Sequence, residues 1–403
     1  MLLDMRVERL ITERFKELNS LQKKSMIAVL SGQDAIVTAP TGFGKTEAVM
    51  LPLFHRLLEY KDKKRDKTKA GEGNEKESGM ADEDEMAGEG IQVLYITPLR
   101  SLNRDLLSRL EWWANRLGIS IDVRHGDTPQ YKRYKQSRHP PQLLITTPET
   151  FTGMLAAKRL GAALSVCRHV VIDEIHSIID NKRGMQLALS LERLDEKTKA
   201  QYGGVAQRIG LSATLGNKET AMQYMSPKPR ACTLVDIDLT KQMKITIERP
   251  KSWRKENTVG MDEESMGRLM RVKELVGDEK TLIFVNTRQV AEALGSRLLM
   301  LKEKAAVHHG SLAKEVRIKA EDDFKKGKIL ALIVTSSLEL GIDIGDINHV
   351  IQYMSPRQVS RLIQRVGRSG HTMERIPKGT LIASDTDDIL ESIAIVDLLH
   401  SGW

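Results

Sequence analysis

Ala35-Ile36-Val37-Thr38-Ala39-Pro40-Thr41-Gly42-Phe43-Gly44-Lys45-Thr46 sets an apolar run, a glycine-bearing turn and a basic–hydroxyl pair in immediate succession. Downstream, Val49, Met50, Leu53 and Leu57 lie at helical spacing, so the segment reads as strand, loop and helix. That is the context a phosphate-binding loop requires. Gly42 and Gly44 let backbone N–H groups turn inward on phosphate oxygens, and the helix N-terminus adds its dipole. Lys45 is placed to reach β- and γ-phosphates and Thr46 to ligate Mg²⁺, with Thr41 in the same loop. Ala39 stands where the common pattern has glycine.

Working outward, short apolar runs alternate with amphipathic stretches. Ala35–Val37, Val93–Ile96, Leu143–Ile145, Val170–Ile172 and Ile209–Leu211 form one series. Leu282–Val285, Ala306–His308, Leu330–Val334, Val350–Tyr353 and Leu381–Ala383 form a second. Continuous apolar strands separated by helices imply parallel sheets covered on both faces. The expected fold is therefore α/β, two doubly wound domains in tandem, over residues 1–235 and 250–403. Lys61 to Gly90, with seven basic and ten acidic residues, reads as a disordered insertion in the first. Its net of −3 leaves +11 on the rest of a chain whose formal charge is +8. That balance suits a polyanionic partner, and an aromatic content of 4% favours tracking its backbone over stacking on its bases.

Two cysteines, Cys167 and Cys232, cannot build a disulfide framework or a four-ligand zinc site, so a reducing, cytoplasmic setting is expected. The longest apolar run, Ile329 to Val334, is far short of the roughly 20 residues that span a bilayer, and no membrane partner is expected.

A second motif, Val170-Val171-Ile172-Asp173-Glu174, is an apolar strand ending in two carboxylates at the sheet edge where ligands bind. Asp173 suits Mg²⁺ and Glu174 suits polarisation of an attacking water. Phosphoryl transfer also needs a cation on the γ-phosphate, which Arg365 or Arg368 in Gln364-Arg365-Val366-Gly367-Arg368-Ser369-Gly370-His371 would supply. Drawing one site from two domains would let hydrolysis sense their closure.

Asp173-Glu174-Ile175-His176, Ser212-Ala213-Thr214 and Gln364 to His371 resemble the helicase motifs of superfamily 2, in order and at matching spacing. So do Gln22, Thr97 to Leu102, Thr146-Thr147-Pro148-Glu149, Phe284 to Arg288, His308 to Leu312 and Thr335 to Asp343. Within that superfamily Arg124-His125-Gly126-Asp127-Thr128, Leu338-Glu339-Leu340-Gly341 and the final Gly370-His371 are similar to the Lhr (large helicase-related) family. The resemblance implies two RecA-like domains and an ATP- and Mg²⁺-dependent helicase or translocase on single-stranded DNA or RNA or a tailed duplex, moving 3′→5′. It implies that Gln22 reads adenine, that Gly341 and Asp343 also face the nucleotide, and that Gln364 joins Lys45 and Glu174 in catalysis. Ser212, Thr214 and His176 would couple hydrolysis to movement. Thr97, Arg100, Thr147, Asn286, Arg288, Thr335 and Ser336 would line the strand-binding groove, although capping and turn roles fit the same residues.

Two departures shape the expectations. His371 replaces a final arginine, which favours Arg368 as the catalytic arginine and leaves Arg365 to neighbouring carboxylates or phosphate. Only 20 residues separate Asp343 from Gln364, too few for a strand-splitting hairpin beside a strand and a helix, so poor duplex separation is expected. Lhr relatives continue into a winged-helix domain, so the chain is expected to be a truncated, monomeric form or a motor needing a partner. The rivals are an exosome-associated type of RNA-remodelling ATPase and a nucleic-acid scaffold whose ATPase is vestigial. Trp112 and Trp113 share a helix with Leu106, Leu110 and Leu117 and read as core; adjacent His308 and His309 make a poor metal pair.

Overall fold

The computed structural model describes residues 3–15, 17–39, 43–70, 90–98, 102–213, 215, 217–227, 230–236, 243–253, 260–339, 345–370 and 376–401. The chain divides into two compact units, the first reaching Asp238 and the second starting at Leu239.

The first unit holds a parallel sheet of β1 (Asp34–Thr38), β2 (Val93–Ile96), β3 (Ile121–Arg124), β4 (Leu143–Thr146), β5 (His169–Ile172), β6 (Gln207–Ser212) and β7 (Cys232–Asp236), in the order β3-β4-β2-β5-β6-β1-β7. Side chains alternate between the faces. Ala35, Val37, Tyr95 and Val171 enter one buried layer, whereas Ile36, Leu94, Val170 and Ile172 enter the opposite one. Both faces are thus dry along the apolar middles of the central strands, with polar residues such as Asp34, His169, Gln207 and Ser212 at their ends. Trp113 is buried against Phe54 and Phe15, with ring centroids 6.5 and 5.9 Å away. Trp112 lies under the guanidinium groups of Arg14 and Arg116 at 4.7 and 4.1 Å. The tryptophans are core and its lid.

The second unit repeats the plan with β8 (Lys244–Glu248), β9 (Thr281–Phe284), β10 (Ala305–His308), β11 (Ala331–Val334), β12 (His349–Tyr353) and β13 (Lys378–Ile382), ordered β10-β11-β9-β12-β13-β8 and all parallel. Helices Glu263–Val276 and Arg288–Met300 cover one face through Leu269, Val272, Leu294 and Leu298. His308 and His309 are buried on separate carboxylates, Glu321 at 2.8 Å and Glu292 at 2.7 Å. No helix among the described residues is long and apolar enough to cross a membrane.

Two boundaries differ from expectation. Lys61 to Ala70, expected within a disordered insertion, continues the helix Lys45–Ala70; residues 71–89 lie outside the described residues. This run carries neither glycine nor proline, and it is anchored: Lys61 Nζ donates to Gly118 O (2.9 Å) and Asp62 pairs with Arg6 (2.5 Å). The second domain, expected from residue 250, already has β8 at Lys244–Glu248, paired with β13. That strand is half-exposed and lacks the apolar run that marks the others.

Candidate active site

The C-terminal edge of the first sheet gathers the chemistry. After β1, Gly44 adopts a left-handed backbone (φ 74°), and a Cβ there would come within 3.1 Å of Gln22 Nε2. Gln22 is held by a reciprocal cap: its N–H donates to Asn19 Oδ1 (2.8 Å) and its Oε1 accepts from Asn19 N (3.0 Å). Asn19 Nδ2 in turn donates to Phe43 O (3.1 Å), tying this cap to the glycine loop. Lys45 starts the following helix, and its ammonium donates to Ala39 O (2.6 Å), so the cation lies over the loop.

At the end of β5 the backbone of Asp173 is fixed by its N–H on Ile96 O (2.8 Å). Tyr95 donates its hydroxyl to Asp173 Oδ2 (2.9 Å). Burial, and then the neighbouring Glu174, hold the Asp173 carboxyl above the usual carboxylate range. Glu174 sits in the left-handed region (φ 48°, ψ 49°), a conformation costing a non-glycine residue about 1–2 kcal/mol. Its carboxylate is buried, and Oε2 has no hydrogen-bond partner among the described residues. His176 Nδ1 lies 3.6 Å from that oxygen and 2.7 Å from Ser212 Oγ. Burial and the Lys45 charge push His176 down to about 4, which keeps its ring neutral near pH 7.

These groups fit a nucleotide with Mg²⁺. Thr46 and Asp173 offer hard oxygens, the latter fixed by the Tyr95 phenol, and an orphaned buried carboxylate oxygen lies one residue on. Mg²⁺ with phosphates needs one or two protein oxygens rather than a dedicated cage. Among the described residues no group of three or more His, Cys, Asp or Glu could hold a metal ion by itself.

Farther along the same edge, Thr97 and Thr147 follow β2 and β4 and are buried. Thr97 N donates to Thr146 O (2.9 Å), and the Thr147 hydroxyl meets Thr150 Oγ1 at 3.1 Å.

In the second unit Arg365 is buried. Its Nε donates to Glu339 Oε1 (2.8 Å), Nη2 bonds the same oxygen, and Nη1 reaches Gln352 Oε1 (2.7 Å) and Asn286 Oδ1 (3.2 Å). Asn286 Nδ2 donates to Ser355 O (2.8 Å), so an amide expected in a groove is engaged at both ends inside its own unit. Arg368 Nη2 donates to the Glu339 backbone oxygen (2.7 Å). Gln364 is buried on the same helix, Val359–Val366, whereas Arg288 and Ser336 are exposed and Thr335 is half-exposed.

Residues 19–222 match the DEAD/DEAH box helicase family and residues 265–372 the helicase conserved C-terminal domain. The chain belongs to the DEAD/DEAH box helicases. Among them it is similar to the ATP-dependent helicase Lhr-Core of Methanothermobacter thermautotrophicus, with 34% identity over 95% of this chain and 44% of that protein. It is 30% identical to the Lhr helicase/uracil glycosylase of Escherichia coli, over 96% of this chain and 28% of the relative. The structure of Mycobacterium smegmatis helicase Lhr bound to ssDNA and AMP-PNP superposes with a TM-score of 0.80 at 32% identity, covering 99% of this chain and 50% of that one. Mss116p bound to ssRNA and AMP-PNP, at 19% identity, has a TM-score of 0.77 over 99% of this chain and 75% of its own and shares the fold. The chain is thus a superfamily 2 helicase core of two RecA-like units, similar to Lhr. It spans less than half the length of the curated Lhr relatives it matches.

In this helicase core the first sheet brings together Gln22, Gly44, Lys45, Thr46, Asp173, Glu174, His176 and Ser212. The second unit places Asn286, Arg365 and Arg368 around Glu339, with Gln364 buried next to Arg365 in the chain. Thr41, Gly42, Arg100, Thr214, Gly341, Asp343 and His371 lie outside the described residues. Sequence reasoning missed Tyr95. Its signal was a lone hydroxyl in the apolar run Val93–Ile96, fully buried and so obliged to find a partner.

Proposed function

We propose that this chain is an Mg²⁺-dependent ATPase motor that hydrolyses ATP while moving along single-stranded DNA or RNA, with 3′→5′ polarity. The observation that carries the reading is the buried, unsatisfied Oε2 of Glu174, held in a strained backbone beside Asp173, Thr46 and the Lys45 loop. A carboxylate with an open lone pair at that place accepts the proton of the attacking water. Bound Mg²⁺ supplies neutralising charge at the β- and γ-phosphate oxygens. Thr46 and Asp173 would hold it, with the Tyr95 hydroxyl fixing the carboxylate.

Lys45 leaves Ala39 O for the phosphates, Gln22 reads the base from its cap, Arg368 brings positive charge to the transferring group, and Gln364 assists through its amide. The short Ser212–His176–Glu174 chain offers a mechanical link, because a shift of the Ser212 loop moves the imidazole beside the catalytic carboxylate. Thr97, Thr147, Arg288, Thr335 and Ser336 are proposed to contact the strand. Similarity to an Lhr structure bound to ssDNA and AMP-PNP supports both ligands.

The test is steady-state ATP turnover with and without ssDNA, ssRNA and hybrid. Stimulation by a strand, abolished in Lys45→Ala and lowered on the order of 10³-fold in Arg368→Ala, is the expected result. A strand-binding scaffold with vestigial ATPase would show binding without stimulation. Movement toward the 3′ end of the tracked strand, read by streptavidin displacement, would overturn the polarity.

A further inference from the structure

The helix Gln130–Arg138 has a face with no packing reason for its composition. Tyr131, Tyr134, Lys135 and Arg138 stand at i, i+3, i+4 and i+7, one stripe, and all four are exposed, Tyr131 by 76% and Tyr134 by 56%. The opposite face is fixed. Gln136 is buried, donating to Asp122 Oδ2 (2.8 Å) and Val123 O (3.0 Å), and Lys132 pairs with Asp122 (2.7 Å). Arg133 Nη2 donates to His125 O (3.0 Å) and Gly126 O (2.6 Å), so the helix is clamped to the loop leaving β3. The stripe is therefore rigidly presented rather than a loosely solvated end.

Its chemistry alternates ring and cation. The Arg138 guanidinium lies over the Tyr134 ring at 4.9 Å, which orders that cation. Neither Lys135 nor Arg138 forms an ion pair among the described residues. Lys158 and Arg159, exposed at the start of the helix Lys158–Leu164 packed alongside, add to the positive field; Asp127 in the adjoining loop is the exposed acid. Position in the sheet gives the stripe its occupant. Register aligns Ile96 with Thr146 and Thr146 with Arg124, so Thr97, Thr147 and His125 follow side by side at the ends of β2, β4 and β3. The Thr146 hydroxyl donates to Arg124 O (2.8 Å), closing that row. From Thr97 the row runs outward by two strand spacings, about 10 Å, to the loop that carries the helix.

We infer that a nucleic-acid strand crossing the row of Thr97 and Thr147 continues onto this helix, with one base stacked on Tyr131 and its phosphates on Lys135 and Arg138. The inference rests on the reading that the chain binds single strands. It adds a stacking contact to a protein whose low aromatic content argues for backbone tracking. The stacking partner is a base face, which every nucleotide offers, so the contact is indifferent to sequence.

The experiment is fluorescence anisotropy of the full chain on labelled 20-nucleotide DNA and RNA strands at two salt concentrations, with folding checked by thermal melting. Tyr131→Ala is expected to weaken binding about tenfold, while Tyr131→Phe, which keeps the ring, stays within twofold of wild type. Lys135→Gln with Arg138→Gln is expected to flatten the slope of log affinity against log salt by about 1.4, roughly 0.7 for each phosphate no longer neutralised. A strand carrying 2-aminopurine should be quenched by wild type and by Tyr131→Phe and not by Tyr131→Ala. If wild type binds and Tyr131→Ala matches it in affinity and quenching on both nucleic acids, the helix is ordinary surface and the inference fails alone. Should wild type bind neither strand, the proposed function falls with it.

Discussion

Replacing Arg365 tests whether the second unit is organised around Glu339. The guanidinium is buried, bonds one Glu339 carboxylate oxygen through two nitrogens, and donates to Asn286 and Gln352. Arg365→Met keeps most of the volume and strands a buried carboxylate, which costs about 3–5 kcal/mol. Two amide oxygens also lose their donor, at about 1 kcal/mol each. The expected loss is roughly 5–7 kcal/mol, set against a typical domain stability of about 5–15 kcal/mol. With a urea dependence near 2 kcal/mol per molar, the midpoint of the second unit should fall by roughly 2.5–3.5 M.

Arg365→Met with Glu339→Gln removes both charges and should recover at least about 2 kcal/mol of that loss, measured by urea titration under circular dichroism. A single variant that loses under about 1 kcal/mol, or a double variant no better than the single, would refute the argument. The design matters for the chemistry. Turnover lost in Arg365→Met is confounded by unfolding, so the folded Arg365/Glu339 double variant is the one to set beside Arg368→Ala. Turnover surviving Arg368→Ala in full while a folded Arg365/Glu339 double variant is dead would reverse the two roles.

Tyr95→Phe removes the hydroxyl that donates to Asp173, and the Mg²⁺ concentration for half-maximal turnover should rise about tenfold; an unchanged value would detach Tyr95 from the site. His169, buried between Tyr60 and Gln207, is pushed down to about 4 by burial, below its unfolded value of about 6.5. Because the unfolded chain then binds the proton first, stability is lost as pH falls below about 6.5. Between pH 7.5 and 5 wild type should lose about 2 kcal/mol more than His169→Gln, read from urea midpoints. With β12 and the helix Val359–Val366 filling the stretch between the last two motifs, residues 1–403 should separate a long tailed duplex poorly while still hydrolysing ATP. Robust unwinding in a strand-displacement assay would contradict this.

The fold was legible because ten strands are continuous apolar runs, and they are the ones with neighbours on both sides together with β10. The strands the pattern does not mark, β3, β7 and β8, all lie at sheet edges, where Ile121–Arg124, Cys232–Asp236 and Lys244–Glu248 are largely half-exposed. Edge strands bury too little to leave a hydrophobic signature. The site was legible where spacing carries chemistry, as in Gly44-Lys45-Thr46 and Asp173-Glu174. Tyr95 and Glu339 were not, since their roles depend on partners 78 and 26 residues away that no local window joins.

Each unit is closed by its own ends. β1, the first strand of the first sheet, pairs with β7, the last, at Ala35↔Thr233, and β8 pairs with β13 at Ile247↔Leu381. A ribosome adding about 5–20 residues per second therefore exposes β1 for roughly 10–40 s before its final neighbour emerges. The phosphate-binding loop hangs from that waiting strand, and the Thr38 hydroxyl reaches Asp236 (2.6 Å) only after β7 docks. The nucleotide loop thus follows a strand whose last neighbour is the final strand of its unit to be synthesised.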